Sequence, residues 1–293
     1  MSRSMDSKTN KFMEFVDGTL HRRQENIQRL LICWDKHLNE ERLNSWITSA
    51  VRHNVQQVRL NLTQDEPLSI TLSLFTCESL VSLSISADVR FPNYISLPKL
   101  KRLELEGVEF SDENWNENHF SDCPALEIIR MENCIWVHMP YFCISTPTLK
   151  SFNIANWDDQ WLPRGEDDGM AKENVLTTFP LLVKANVEFR FEPYVATREE
   201  KICHCAAISQ FLRALVNVKC LSVSDDTLQA LSFADDLWEK LPTFHNAKKL
   251  TMLEEVTNDK ALVALLKATH NLELLVFDKA SSTQLSVFHA FRH

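Results

Sequence analysis

The sequence predicts an α/β solenoid in which short parallel strands stack side by side, and two observations support this fold class. The pattern apolar-x-x-apolar-x-apolar recurs along the chain, and prolines stand in register with it. Five clear copies begin at Val55, Leu80, Leu100, Leu126 and Leu149, and successive copies lie 25, 20, 26 and 23 residues apart. Repeats of about 20–29 residues with this pattern are leucine-rich repeats, each of which supplies one strand.

Four looser copies extend the series toward the C-terminus. They begin at Leu182, Val218, Ala247 and Leu272. No single repeat can bury its own apolar face, so neighbouring repeats must stack around one continuous core. The expected architecture is a horseshoe-like leucine-rich-repeat solenoid, with parallel strands on the concave face and irregular helices and loops on the convex side.

Four prolines mark the approach to a repeat. Pro98, Pro124, Pro147 and Pro180 each stand two residues before the first apolar position of a copy. Because proline has a fixed φ and no N–H, it can end a convex segment and turn the chain toward extended backbone. A chance apolar pattern would not place its prolines at one constant offset.

The alternation of side chains along a strand predicts which residues face outward. The second and third apolar positions point into the core, and the residues that flank and separate them point out. Stacked strands lie about 4.8 Å apart, so the outward residues should form columns across the concave face, extended by Asn61 and Ser86. The predicted partner-binding residues are Gln57, Arg59, Ser82, Ser84, Arg102, Glu104, Glu106, Ile128, Arg130, Glu132, Ser151 and Asn153.

The chain is predicted to divide into a capping segment and a repeat array. Residues 1–54 form the N-terminal capping segment, and residues 55–293 form the array. Apolar residues follow helical spacing between Asn39 and Asn54, which predicts an amphipathic helix covering the first strand. Residues 157–174 are rich in acidic side chains and predict a loop inserted between repeats. Further helices are expected over 196–215 and from an N-cap at 258 to residue 269.

Charge and cysteine content argue against several function classes. The 293 residues carry a formal net charge of −9 without a basic tract, so nucleic acid is not an expected partner. No stretch approaches the roughly 18 apolar residues of a membrane span, and no apolar signal segment opens the sequence. Eight cysteines without a secretory signal favour reduced thiols. We therefore expect a monomeric protein of the cytoplasm or nucleus.

No motif indicates catalysis, a cofactor or a metal site. Cys203-His204-Cys205 offers zinc ligands, but it lacks the paired spacing of a structural zinc site, so core packing is favoured. The acidic residues between Asp158 and Asp168 lack the order of a calcium loop and are interpreted as solvated. Trp157 and Trp161 flank this loop, and packing beneath it is favoured over contact with a partner. The glycine motifs of phosphate sites, H-E-x-x-H and G-x-S-x-G are absent.

Several stretches beyond the bare repeat pattern point to one family. They are Phe15-Val16-Asp17 with Leu20, Trp46-Ile47, Asn54-Val55, Leu74-Phe75-Thr76-Cys77-Glu78-Ser79-Leu80, Leu97-Pro98-Lys99-Leu100-Lys101-Arg102-Leu103 and Cys123-Pro124-Ala125-Leu126-Glu127. Weaker matches follow at Asn217-Val218-Lys219 and Leu272-Glu273-Leu274-Leu275-Val276-Phe277. In these stretches the sequence resembles the plant F-box/leucine-rich-repeat proteins, especially the group with a C-terminal FBD region.

The resemblance implies a function in protein recognition. In that family an N-terminal F-box docks on a Skp-type adaptor of a cullin-RING (SCF) ubiquitin ligase, and the repeats present the substrate. Residues 1–14 show no F-box pattern, and little sequence follows Leu275 where an FBD region would continue. We expect an interaction module that resembles the substrate-recognition part of such a ligase and binds an unknown target protein. Skp-type adaptor and cullin would be partners only if an F-box were supplied elsewhere.

The alternative is a stand-alone repeat protein, or a competitor that binds the family's targets without recruiting a ligase. It predicts target binding with no effect on ubiquitination of the target. A third possibility, an enzyme built on the solenoid, would need convergent polar residues in a pocket, and nothing in the sequence indicates them.

Overall fold

A computed structural model describes most of the repeat array and part of the segment before it. The described residues are 11, 13–20, 25–34, 38–64, 67–110, 119–136, 142–156, 175–190, 205–206, 208–209, 211–232, 241–253, 255–257 and 259–278. The strands are β1 (Arg29–Trp34), β2 (Gln57–Leu62), β3 (Ser82–Arg90), β4 (Arg102–Phe110), β5 (Ile128–Glu132), β6 (Ile135–Trp136), β7 (Phe142–Ser145), β8 (Ser151–Asn156), β9 (Val175–Thr178), β10 (Lys184–Phe189), β11 (Cys220–Ser224), β12 (Lys249–Leu253) and β13 (Leu274–Asp278). The helices are α1 (Glu40–Arg52), α2 (Leu72–Phe75), α3 (Asp225–Leu231) and α4 (Asp259–Ala268). Residues 13–20, before β1, are helical as well.

One parallel sheet runs through the whole described array. Its strand order is β1-β2-β3-β4-β5-β8-β10-β11-β12-β13, with β6 paired to the end of β4. A separate two-stranded parallel sheet joins β7 and β9. Each strand of the main path therefore pairs with the strand of the preceding repeat, as in a leucine-rich-repeat solenoid.

The main sheet confirms the nine predicted strands. Each of β2, β3, β4, β5, β8, β10, β11, β12 and β13 begins two residues after the first apolar position of its copy. The register aligns Leu83, Leu103, Ile129 and Phe152 as Cα partners on successive strands. Each of these four side chains is at most 1% exposed, so the second apolar positions form the continuous spine of the core.

The sheet begins one strand earlier than the sequence analysis placed it. β1 pairs in parallel with β2, and Ile32 stands opposite Leu60. The missed copy is Ile27-x-x-Leu30-x-Ile32, which starts 28 residues before Val55. Because α1 lies between β1 and β2, this helix is the connection of the first described repeat and not a cap in front of the first strand.

The amphipathic helix predicted between Asn39 and Asn54 is confirmed as α1. The side chain of Asn39 accepts a hydrogen bond from the Arg42 N–H at 2.9 Å and caps the helix. At the C-terminus of the helix, Asn54 adopts the left-handed backbone conformation with a φ of 56°, and the Val55 N–H donates to the Ala50 carbonyl at 3.1 Å. A single residue in this conformation commonly ends a helix. The buried residues of its apolar face are Leu43, Trp46, Ile47 and Ala50.

A turn of one form leads into most strands. The first apolar residue of the repeat donates its N–H to the carbonyl three residues earlier, as in Leu100 to Leu97 at 3.0 Å and Leu126 to Cys123 at 3.1 Å. Pro98 and Pro124 occupy the second position of these turns, where the fixed φ of proline is favoured. The prolines thus belong to the turn that starts each strand.

Some predictions fall outside the described residues. They are the acidic loop at 157–174 with Trp157 and Trp161, the N-cap at Asn258, and Cys203 with His204. Of the helix predicted over 196–215, residues 205–206, 208–209 and 211–214 are helical. The last predicted helix is confirmed as α4.

Candidate protein-binding face

The sheet register places the predicted outward residues in three columns. The first column is Arg29, Gln57, Ser82, Arg102, Ile128, Ser151, Lys184, Cys220, Lys249 and Leu274. The second is Leu31, Arg59, Ser84, Glu104, Arg130, Asn153, Asn186, Ser222, Thr251 and Val276. The third is Cys33, Asn61, Ser86, Glu106, Glu132, Ala155, Glu188, Ser224, Leu253 and Asp278. All twelve residues predicted for the concave face fall in these columns.

Small side chains on β3 form a trough in the N-terminal part of the face. Ser82, Ser84 and Ser86 occupy all three columns of that strand, between longer side chains on β2 and β4. The short serine in the second column leaves room for Arg59 and Glu104 to approach to 4.0 Å across it. The Ser86 hydroxyl donates to Glu106 at 2.7 Å.

Charged groups of both signs line this trough. Arg102 lies 3.2 Å from Glu104, and Arg130 forms a second pair with Glu132 at 2.5 Å. The Arg59 and Arg102 side chains are about half exposed, at 48% and 50%. Exposed pairs of this kind contribute about 0–1 kcal/mol to stability, so their charges can exchange partners at low cost.

Beyond β5 the residues of the third column become buried. Asn61 and Glu106 are exposed, whereas the corresponding positions on β8, β10, β11 and β12 are buried. The second column is uncharged there, and the Asn186 amide donates to Asn153 at 3.3 Å. Extending the looser copies by the same offset from their first apolar residue would have identified these additional positions from the sequence.

A fourth line of residues, which we call the strand-start row, precedes the first column. Two consecutive N–H groups at the start of each strand donate to one carbonyl of the previous strand: those of Lys219 and Cys220, for example, donate to Val183 at 2.9 and 3.0 Å. This arrangement stacks one residue per strand in order. The row is Gln28, Gln56, Val81, Lys101, Glu127, Lys150, Val183, Lys219, Lys248 and Glu273.

The cysteines of the described part are mainly core residues. Cys205 of the Cys203-His204-Cys205 motif is buried, and its thiol donates to the Leu231 carbonyl at 3.3 Å. Burial raises the pKa of the Cys123 thiol to about 11 and that of Cys134 to about 12. Within the described ranges, no three His, Cys, Asp or Glu side chains converge as metal ligands. No helix within those ranges is long and apolar enough to cross a membrane.

Comparison with known proteins identifies the repeats. Residues 43–184 match the family model for the leucine-rich repeats of the FBD-associated F-box protein At5g56370. This part of the chain is therefore similar to the leucine-rich repeats of an FBD-associated F-box protein. The match begins inside α1, includes the strands from β2 to β9, and ends at the first residue of β10.

Several Arabidopsis thaliana proteins are similar to this chain over most of its length. The F-box/LRR-repeat protein At3g59190 is 27% identical over 267 residues, which cover 82% of this chain and 68% of that protein. The F-box/LRR-repeat protein At3g59210 is 26% identical, with coverage of 93% and 61%. The FBD-associated F-box protein At4g13985 is 28% identical, with coverage of 85% and 58%.

The chain thus spans about three fifths of the length of several relatives that it matches. No solved structure matches the chain significantly.

Proposed function

We propose that the concave face between β2 and β8 binds a target protein, and that the chain acts in the substrate-recognition part of an F-box-type ubiquitin ligase in the cytoplasm or nucleus. The observation that carries the proposal is the three-column face itself, with its serine trough and charges of both signs. A non-catalytic binding role fits this face, because its polar groups form broad columns and not one convergent cluster. The family of the repeats supports the ligase context.

The electrostatics of the trough suit recognition better than stability. Arg59 and Arg102 are about half exposed, and Glu104, Arg130 and Glu132 are about one quarter exposed. Solvent therefore still screens these pairs, and they contribute little to folding. A partner with complementary charges can replace these internal pairs with pairs across the interface. Such complementarity sets the association rate and selects among partners.

Charge reversal tests the face directly. The immobilised chain and the variant Arg102→Glu/Glu104→Arg/Arg130→Glu would be exposed to plant extract, and bound proteins would be quantified by mass spectrometry. We expect the proteins retained by the parent chain to be lost from the variant. The matched control is Glu41→Arg/Arg52→Glu/Lys260→Glu, which changes net charge equally at exposed helix positions.

Loss of the same proteins from the control would show a general charge effect, and unchanged capture by the reversed variant would move the site off this face. Both results contradict the proposal. Far-UV circular dichroism and the melting temperature of each variant would show that the repeats remain folded.

The ligase context has its own test. The chain would be co-expressed with a Skp-type adaptor and purified through its own tag. Retention of the adaptor supports assembly into a ligase. Target capture without adaptor retention contradicts the ligase part of the proposal and supports the stand-alone binder or competitor.

A further inference from the structure

Lysines concentrate at the strand starts of the C-terminal half of the sheet. On β8, β10, β11 and β12, the strand-start row and the first column together provide eight positions. Five of the eight are lysine and none is acidic: Lys150, Lys184, Lys219, Lys248 and Lys249. We call these five residues the basic strip. They come from four separate stretches of sequence and meet only because the strands stack in register.

The strip is bounded by an acidic residue at each end. Glu127 on the preceding strand pairs with Lys150 at 3.0 Å, and Glu273 on the following strand pairs with Lys248. The Lys150 ammonium lowers the pKa of Glu127, which keeps that carboxylate charged. Three lysines of the strip, Lys184, Lys219 and Lys249, form no ion pair among the described residues.

These three lysines occupy accessible positions. Lys184 and Lys219 are exposed and Lys249 is half-buried. Lys184 and Lys249 stand on either side of Cys220 in the first column, and Lys219 lies directly before that cysteine. The backbone pairing places these three lysines at the starts of three successive strands, where their like charges repel one another. An anionic partner would relieve that repulsion.

We propose that the basic strip docks a short, extended acidic segment of the target protein. This deepens the proposed function, because it names the chemistry of one part of the partner. Four strands about 4.8 Å apart span about 14 Å, which an extended segment covers with four or five residues at about 3.3 Å each. Alternate side chains of such a segment point the same way about 7 Å apart, so two or three carboxylates can face the three lysines.

The surroundings favour an acidic peptide over a nucleic acid. The acidic residues at both ends limit the favourable length to four strands, whereas a nucleic-acid strand would continue past Glu127 or Glu273. The chain as a whole carries a net charge of −9, which repels a polyanion at long range. A short acidic segment within a folded partner experiences less of that repulsion.

Fluorescence anisotropy tests the strip with the full chain. The probe is a labelled peptide of about eight residues that alternates glutamate and serine, long enough to span the strip in extended form. The reference peptide carries glutamine in place of glutamate. We expect the acidic peptide to bind in low salt, the reference peptide not to bind, and affinity to fall as salt rises.

The variant Lys184→Glu/Lys219→Glu/Lys249→Glu should weaken binding of the acidic peptide by at least about tenfold, because three ion pairs become repulsive. Its matched control is Lys99→Glu/Lys260→Glu/Lys267→Glu, which changes net charge equally at exposed lysines outside the strip. The control should bind nearly as well as the parent chain. Circular dichroism would establish that both variants fold.

Three results would overturn the strip proposal: equal weakening in both variants, no binding of the acidic peptide, or tighter binding of an oligothymidylate of similar length.

The trough variant Arg102→Glu/Glu104→Arg/Arg130→Glu separates failure of the strip proposal from failure of the proposed function. If that variant loses the target protein while reversal of the strip does not, the strip proposal fails alone. If the trough variant keeps the target and the strip variant loses it, the strip proposal stands and the trough is not the site.

Discussion

The two halves of the sheet share one backbone and differ in what their polar residues do. From β2 to β5 the polar side chains lie on the concave face, and their pairs are partly accessible to solvent. From β8 to β12 the third column is buried, and the buried polar residues Ser224, Asp225 and Thr227 lie inside the solenoid. The repeat pattern is therefore compatible with either an exposed or a buried residue at the same position of the third column.

Asp225 is the centre of the buried contacts in the C-terminal half. Its side chain is 4% exposed and accepts hydrogen bonds from the Thr257 N–H at 2.9 Å, the Thr257 hydroxyl at 2.6 Å and the Gln229 amide at 2.9 Å. These bonds tie α3 to the segment before α4. A second set joins neighbouring repeats, since the hydroxyl of Thr227 accepts from the Phe189 N–H at 2.9 Å.

Side-chain ties between neighbouring connections occur in both halves, since Asn44 of α1 accepts from the Thr71 N–H at 2.8 Å, but the tie at Asp225 is made by a buried carboxylate. In the N-terminal half the spacing stays between 20 and 28 residues, and apolar stacking with the turns closes each repeat. In the C-terminal half the spacing reaches 33 and 36 residues, and the Thr227 hydroxyl on α3 accepts from the Phe189 N–H at the end of β10, across the longest spacing. The regular half is then free to vary its surface for binding.

The largest expected effect is at Asp225. Asp225→Ala should lower the free energy of unfolding by about 3 kcal/mol, because the donors of Thr257 and Gln229 lose a charged acceptor in a buried position. Urea denaturation followed by circular dichroism measures the change. Asp225→Asn, which keeps one acceptor oxygen, should lose less. A loss of less than about 0.5 kcal/mol in the free energy of unfolding of Asp225→Ala would show that the buried polar contacts of the C-terminal half do not stabilise the fold more than the exposed pairs of the N-terminal half.

An intermediate effect is expected from alkaline pH in the N-terminal half. Unfolded cysteines ionise near the ordinary pKa of 9.0, whereas burial holds the folded thiols of Cys123 and Cys134 protonated to about 11 and 12. Their contribution to stability is therefore complete below pH 9 and is lost as pH rises toward those values. Each thiol can contribute up to about 1.4 kcal/mol per pH unit, and we expect the free energy of unfolding to fall by about 2 kcal/mol between about pH 9 and pH 10.

Urea denaturation at a series of pH values measures this fall. Cys123→Ala/Cys134→Ala should flatten the dependence above pH 9, and Cys33→Ala, which removes an exposed thiol, should preserve it. An unchanged dependence in the double variant would show that other groups cause the alkaline loss.

The smallest effect on stability is expected in the trough. Glu104→Ala removes the partner of Arg59 and Arg102, yet the free energy of unfolding should change by less than about 0.5 kcal/mol, because both pairs are exposed. Urea denaturation measures it beside Asp225→Ala. A cost comparable to that of Asp225→Ala would mean that the trough also stabilises the fold.

Most of the fold could be predicted from the sequence because leucine-rich repeats are local patterns. The repeated spacing of Leu83, Leu103 and Ile129 predicts where each strand lies, which of its faces points inward and how it pairs with the next repeat. The strand β1 was missed because three consecutive apolar residues, Leu30 to Ile32, hide the alternation, and no proline stands in register before them. The twelve predicted face residues lie in the three columns and none of them is buried, and their role in binding stays a prediction.

The sequence alone determined the order and positions of nine of the ten strands on the main path of the sheet, the amphipathic helix and the alternation of side chains along each strand, since each depends on neighbours a few positions apart. Only the tertiary structure decided that Arg59 reaches Glu104 over Ser84, that Asp225 receives the Thr257 N–H, and that five scattered lysines form one strip. Those contacts join residues from separate repeats, and only the stacking of the strands brings such residues within reach of one another.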